Sequence, residues 1–188
     1  MSEVKTENCG AQVLYGCLRA RTIESKVTAK KQLLMKTPEG LSKEELPALL
    51  AAIGTEECPE ELKAIAVVNG RKDVYYYEST LMTSQYAELD AMIQEKDILH
   101  TIATVTRSDC ELYLVPTQFS KLRDYPFFFS EDEILGAAAR FTLDPQYADI
   151  KVIEASNGGK GFYTTKEMDE RYAKPRIEHV EVELHTWQ

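Results

Sequence analysis

A chain of 188 residues with 44% hydrophobic content has apolar material for one medium core or two small ones, which excludes disorder as its general state. A formal net charge of −9 repels a phosphate backbone and so excludes bulk, non-specific nucleic-acid binding, although a local basic face can overcome it. No run approaches the roughly 20 apolar residues of a membrane helix, and MSEVKTENCG has neither a basic nor an apolar leader region, so cytoplasmic residence is expected.

The charge is uneven. Residues 1–88 hold 11 basic and 13 acidic side chains, a net −2, whereas residues 89–188 hold 11 and 18, a net −7. Cys9, Cys17, Cys58 and Cys110 are scattered, with no C-x-x-C pair, so neither a zinc ribbon nor an iron–sulfur pattern is present and free thiols are expected.

In chain order, Ala11–Ser25 predicts a helix, with Val13, Leu14, Cys17 and Leu18 at helical spacing. Arg19, Arg21, Lys26, Lys30, Lys31 and Lys36 follow with Glu24 alone against them, which makes this the basic segment of the chain. Ser42 before Glu44-Glu45, and Ser130 three residues before Glu133, mark two helix starts. The second is a capping box, in which hydroxyl and carboxylate satisfy each other's helix-start amides. The helices they open are expected over Lys43–Ile53 and Glu131–Phe141. Thr83–Thr104 predicts one long helix that opens the second half. Glu111–Pro116 predicts a brief extended run, and Tyr125–Phe129 an aromatic, strand-like lead. Pro175 is expected to stop a helix begun at Lys166. From His179 to Trp187, Val180, Val182, Leu184 and Thr186 alternate with Glu181, Glu183 and His185, the period of a half-exposed strand.

Two Asn-Gly pairs, Asn69-Gly70 and Asn157-Gly158, each lie between β-branched or aromatic runs and predict type I′ hairpins. Sliding the chain by 88 positions superimposes them and also brings Ser42 onto Ser130, Arg19 onto Arg107, Leu14 onto Ile102 and Tyr75 onto Tyr163. A small slip aligns Tyr86-Ala87 with Tyr172-Ala173. The expected fold class is therefore α+β: two tandem winged-helix-like repeats over residues 1–82 and 83–188, each built of helices and an Asn-Gly hairpin. The second and third helices of the second repeat are expected within Glu131–Asp149.

No catalytic, cofactor or metal constellation is read. Asn157-Gly158-Gly159-Lys160-Gly161 joins two predicted strands and lacks the spacing of a phosphate loop, whose glycines must open a helix. On a strand, His179, Glu181, Glu183 and His185 form a polar, water-facing edge, and no nucleophile motif accompanies His100. Arg71, Lys72, Tyr76, Asn157 and Lys160, at or beside the hairpin tips, are the candidate partner-binding residues. Arg19, Arg21, Lys30 and Lys31 are the alternative, a nucleic-acid face.

The succession of TIATVTRS (Thr101–Ser108), PFFFSEDEI (Pro126–Ile134), DPQYADIKVIEASNG (Asp144–Gly158) and FYTT (Phe162–Thr165) resembles the YdhW-like proteins over roughly the C-terminal two-thirds of the chain. That resemblance implies an accessory role beside a molybdenum or tungsten aldehyde-oxidoreductase-like enzyme with ferredoxin-like subunits, and it supplies no catalytic residue. The function expected is thus a non-catalytic protein-interaction protein, with a protein partner such as an oxidoreductase subunit and homo-oligomers compatible. Tandem winged-helix nucleic-acid binding is the alternative.

Overall fold

The computed structural model describes the backbone of residues 4–186 and the side chains of residues 10–178. The chain forms two compact units, Met1–Lys96 and Asp97–Gln188. In the first, α1 (Val4–Ile23) leads to a short strand β1 (Thr28–Ala29), then α2 (Lys30–Met35), α3 (Glu45–Ala52) and a 3-10 turn, Glu60–Leu62. A hairpin of β2 (Ile65–Asn69) and β3 (Val74–Glu78) follows, and α4 (Ser84–Gln94) closes the unit. The second unit has the same succession: α5 (Ile98–Tyr113), β4 (Thr117–Gln118), α6 (Phe119–Arg123), α7 (Glu131–Phe141), a 3-10 turn at Pro145–Tyr147, β5 (Ile150–Glu154), β6 (Lys160–Thr164) and α8 (Glu170–Thr186). Each sheet is antiparallel with the later hairpin strand in the middle, β1-β3-β2 and β4-β6-β5. The chain is therefore α+β.

Helices bury both faces of each sheet, because alternate residues of the central strand point to opposite sides. Tyr76 sits with Leu14, Leu18, Leu46, Leu50 and Leu62 of the first unit, while Tyr75 and Tyr77 point the other way, to Ala87 and Ala91 of α4. In the second unit Phe162 packs against Phe119 and Phe141, with ring centroids 4.8 and 5.4 Å apart, and Tyr163 joins Ala173 and Ile177 of α8. Both capping boxes form: Ser42 Oγ accepts from the Glu45 amide and Ser130 Oγ from the Glu133 amide, and each glutamate accepts from the serine amide in return.

Several expectations are corrected. The gap-free repeat of 88 does not hold along the chain. β4 begins at 117 against 28 for β1, an offset of 89, whereas β5 begins at 150 against 65 for β2, an offset of 85. The two Asn-Gly pairs are therefore not equivalent. Asn69 is the last residue of β2, its counterpart is Glu154, and neither Asn69 nor Gly70 has positive φ. Asn157-Gly158 lies in the five residues, 155–159, that join β5 to β6. There the Gly158 amide donates to the Ala155 carbonyl and Gly158 alone takes φ +86°, the pattern of a turn ending in a left-handed glycine rather than type I′.

Thr83–Thr104 is two helices, not one. Lys96 turns left-handed at φ 54°, and Asp97 caps α5 by accepting from the His100 amide. α5 then runs through the expected extended run to Tyr113 and ends where Leu114 turns left-handed. Tyr125–Phe129 is a turn containing a cis Tyr125-Pro126 bond, with Phe127 and Phe129 buried and Phe128 exposed. The helix preceding α7 is α6, so the segment Glu131–Asp149 holds one α-helix and not two. Pro175 does not stop a helix. It lies in the second turn of α8, which begins later than Lys166 and carries the backbone of 179–186 as helix where a strand was expected. Asp169 starts it by accepting from the Tyr172 amide, and Ala173 and Ile177, one turn apart and fully buried, anchor it, so propagation outweighs the local alternation. The side chains of His179, Glu181, Glu183 and His185 lie outside the described residues.

Candidate interaction surface

The hairpin tips are held down by the helices that follow them. In the first unit Glu95 Oε1 accepts from the Lys72 amide at 2.7 Å, and Lys72 Nζ donates to the Glu95 carbonyl at 2.7 Å. Gly70 is what admits the carboxylate, since a Cβ there would lie 2.3 Å from Glu95 Oε1 and 2.7 Å from Tyr75 Cε2. Burial, then the Glu95 carboxylate, push the Tyr75 hydroxyl up to about 12. In the second unit Glu178 of α8 accepts from the amide and the hydroxyl of Ser156, at 3.0 and 2.5 Å. Those two bonds hold the Glu178 carboxyl below its ordinary range.

The residues expected at a partner surface are thus differently placed. Tyr76 is 3% exposed and belongs to the first core, so it is unavailable to a partner. Lys72 is engaged by Glu95. Asn157 is exposed, but its Oδ1 accepts from the Gly159 amide, and Lys160 faces Glu154 at 3.7 Å. Arg71 is exposed at the first tip. Tyr75 and Tyr77 are buried as well.

Several residues of the basic segment are engaged within the fold. Arg19 donates to the Tyr15 hydroxyl at 2.9 Å and faces the buried Glu78 carboxylate at 3.7 Å, so part of its charge is neutralised within the fold. Arg21 faces Glu24 at 3.8 Å, and the backbone amide of Lys31 donates to Asp73 at 3.0 Å. Lys30 is half-buried at the start of α2. In the second unit Arg107 grips Asp149 with two bonds of 2.7 and 2.9 Å, and Thr164 donates to the same carboxylate. The Arg107 guanidinium holds the Asp149 carboxyl well below the usual carboxylate range. Asp109, buried in α5, accepts from Lys121 and Thr117, fixing β4 and α6 to that helix.

Apolar residues also face outward, beside charged ones. On α7, Ile134, Ala137 and Phe141 point inward. The opposite side carries Leu135, 45% exposed, with Ala139 and, just past the helix, Leu143, 81% exposed. Tyr125 and Phe128, in the turn before α7, are exposed and meet edge to face at 6.0 Å. On α3 the outward residues are Glu45, Pro47, Ala48 and Ala51. No periodicity argument singled out these positions, because Leu135 and Leu143 read as ordinary apolar residues and only burial distinguishes them.

Among the described residues, one shallow, open depression lies beside that side of α3, lined by Ala48, Ala51, Ala52, Thr55, Glu56 and Glu57, and another at the start of α8, lined by Asp169, Glu170, Arg171 and Lys174. Among the described residues no group of three His, Cys, Asp or Glu side chains is placed to hold a metal ion, and no helix is long and apolar enough to cross a membrane. His100 Nδ1 is buried without a hydrogen-bond partner among the described residues. Cys17, Cys58 and Cys110 are free thiols, and burial raises the Cys110 pKa.

The model of the YdhW C-terminal domain family matches residues 96–185, beginning at the division between the two units. The Escherichia coli (strain K12) protein described as "Uncharacterized protein YdhW" is 30% identical over 178 residues, covering 95% of this chain and 81% of that relative. No solved structure matches. With similarity of that extent running through both units, the chain belongs to the YdhW family.

Proposed function

We propose that this chain is a non-catalytic protein-interaction protein of the cytoplasm, built of two winged-helix-like repeats and serving as an accessory to an oxidoreductase system. The element order of each unit, a helix, a short strand paired to the hairpin, two helices and a hairpin, supports the winged-helix reading. The observation that carries the functional reading is the outward side of α7, the third helix of that motif, the one such folds lay in a DNA groove. Here it presents Leu135 and Ala139, with Leu143 just past its end and with Glu131, Asp132 and Glu133 against the single cation Arg140, a surface better suited to a protein than to phosphates. Both hairpins, which act as wings in nucleic-acid readers, are tied back through Glu95 and Glu178. The oxidoreductase connection rests on the family resemblance.

Affinity capture of the tagged chain from its host, with quantitative mass spectrometry, tests this. Subunits of an oxidoreductase are expected to be enriched on the wild type and lost with Leu135→Glu/Leu143→Glu. The reading is overturned if no such subunit is enriched while a DNA duplex binds with steep salt dependence that Lys30→Glu/Lys31→Glu removes.

A further inference from the structure

We infer that the outward face of α7 takes a second copy of this chain, in an antiparallel two-fold pair crossing at Gly136. This inference rests on the reading of that face as a docking surface and gives it, in the free chain, a second copy that the oxidoreductase subunit would have to displace.

At about 100° per residue, Asp132, Gly136 and Arg140 form one i, i+4 row that starts opposite the buried Ile134, Ala137 and Phe141 and drifts toward their flank at Arg140. Leu135 and Ala139 form the adjacent row, and Leu143 follows just past the helix end. Asp132 and Arg140 are both exposed, and among the described residues neither side chain is held by a hydrogen bond or ion pair within the fold. On one helix they are eight residues apart, about 12 Å, too far to meet each other. They lie at equal distances on either side of Gly136, one charge of each sign. A two-fold axis through Gly136 that reverses the helix direction sets each Asp132 against the Arg140 of the other copy, twice. A uniformly basic partner would instead meet Arg140 with like charge. The row is thus complementary to itself rather than to a single-signed surface.

Steric and apolar features agree with that crossing. A Cβ at Gly136 would meet nothing within 4 Å, so the surface there is open and two helix axes can approach closely. The same operation places Leu143 level with the turn holding Phe128 in the other copy, and these side chains are 81% and 69% exposed. A contact of one helix and one turn per copy falls at the low end of specific interface sizes, so the association is expected to depend on concentration in the micromolar range.

Sedimentation velocity of the full chain from about 1 to 300 µM tests the proposal, a range that brackets micromolar association. A monomer–dimer equilibrium is expected. Asp132→Arg alone and Arg140→Asp alone should each weaken it at least about tenfold, and Asp132→Arg/Arg140→Asp together should return it to within about threefold of wild type. All these positions are exposed, and circular dichroism and melting check that each variant is folded. A wild type that stays monomeric, a dimer indifferent to the single reversals, or a double reversal that fails to restore it would each overturn the proposal. If the wild type is monomeric yet capture of the oxidoreductase subunits still requires Leu135 and Leu143, the docking face stands and its occupant is not a second copy. If the dimer forms as expected but nothing is captured, this inference stands and the oxidoreductase reading falls.

Discussion

The two units solve one packing problem with the large and small residues exchanged. In the first, Tyr75 of the central strand shares a core with Ala91 of the closing helix. In the second, Gly161 occupies the position equivalent to Tyr75, by its pairing with Gln118 where Tyr75 pairs with Ala29, and Ile177 of α8 fills the space above it. The volume between sheet and helix is kept while its supplier changes sides, as close packing requires. The charged anchor behaves the same way. Arg19 and Arg107 stand at matching places on the first helix of each unit, but the carboxylate that receives them is Glu78 at the end of β3 in one and Asp149 before β5 in the other. The fold thus demands a compensated charge at the base of the hairpin, and either strand can provide it.

The sharpest way to break this correspondence is through the central aromatic. Phe162→Ala empties a fully buried site bounded by Phe119 and Phe141 and should cost the second unit about 4 kcal/mol in denaturant unfolding, with Tyr76→Ala costing the first a similar amount. Next comes the exchanged pair. Gly161→Ala would put a methyl group 2.8 Å from Ile177 Cδ1 and 2.8 Å from the Thr117 carbonyl, and should destabilise by about 2–3 kcal/mol. Adding Ile177→Val should recover only part of this, because the carbonyl is backbone and cannot retreat.

The anchors can be separated by pH. Asp149→Asn should cost about 2 kcal/mol at neutral pH, less than a fully buried pair because Arg107 is partly exposed. The Asp149 carboxyl titrates lower in the folded chain than unfolded, so its contribution is complete above the unfolded carboxylate value near pH 4 and is lost as pH falls toward the folded value. Unfolding midpoints of wild type and Asp149→Asn measured downward from pH 6 should therefore converge below about pH 4. Curves that stay parallel would show that Asp149 acts through shape alone. The smallest effect belongs to the exposed latch. Glu178→Gln should leave the melting temperature unchanged while speeding hydrogen exchange at the Ser156 amide, whereas the buried Glu95 changed likewise should expose the Lys72 amide and also lower the melting temperature.

Much of the local structure was legible because its cause is local. Ser130 and Glu133 close a capping box within four residues, and the alignment of Tyr86-Ala87 with Tyr172-Ala173 reflects equivalent places in the two closing helices. The candidate site was not legible. Tyr76, chosen as an aromatic beside cations, is core, and the outward face of α7 emerges only once Ile134, Ala137 and Phe141 are seen to take the inward side.

By itself the sequence determined that the chain is α+β and that it carries two hairpins and two capped helices at corresponding places. These follow from hydrogen bonds and steric preferences spanning a few neighbouring residues. Only tertiary structure decided that residues 179–186 continue a helix, that Asn69 and Asn157 are not counterparts, and that Gly70 exists to admit Glu95 from 25 positions away. Each of those outcomes depends on which distant side chain fills the space, and no local pattern carries that information.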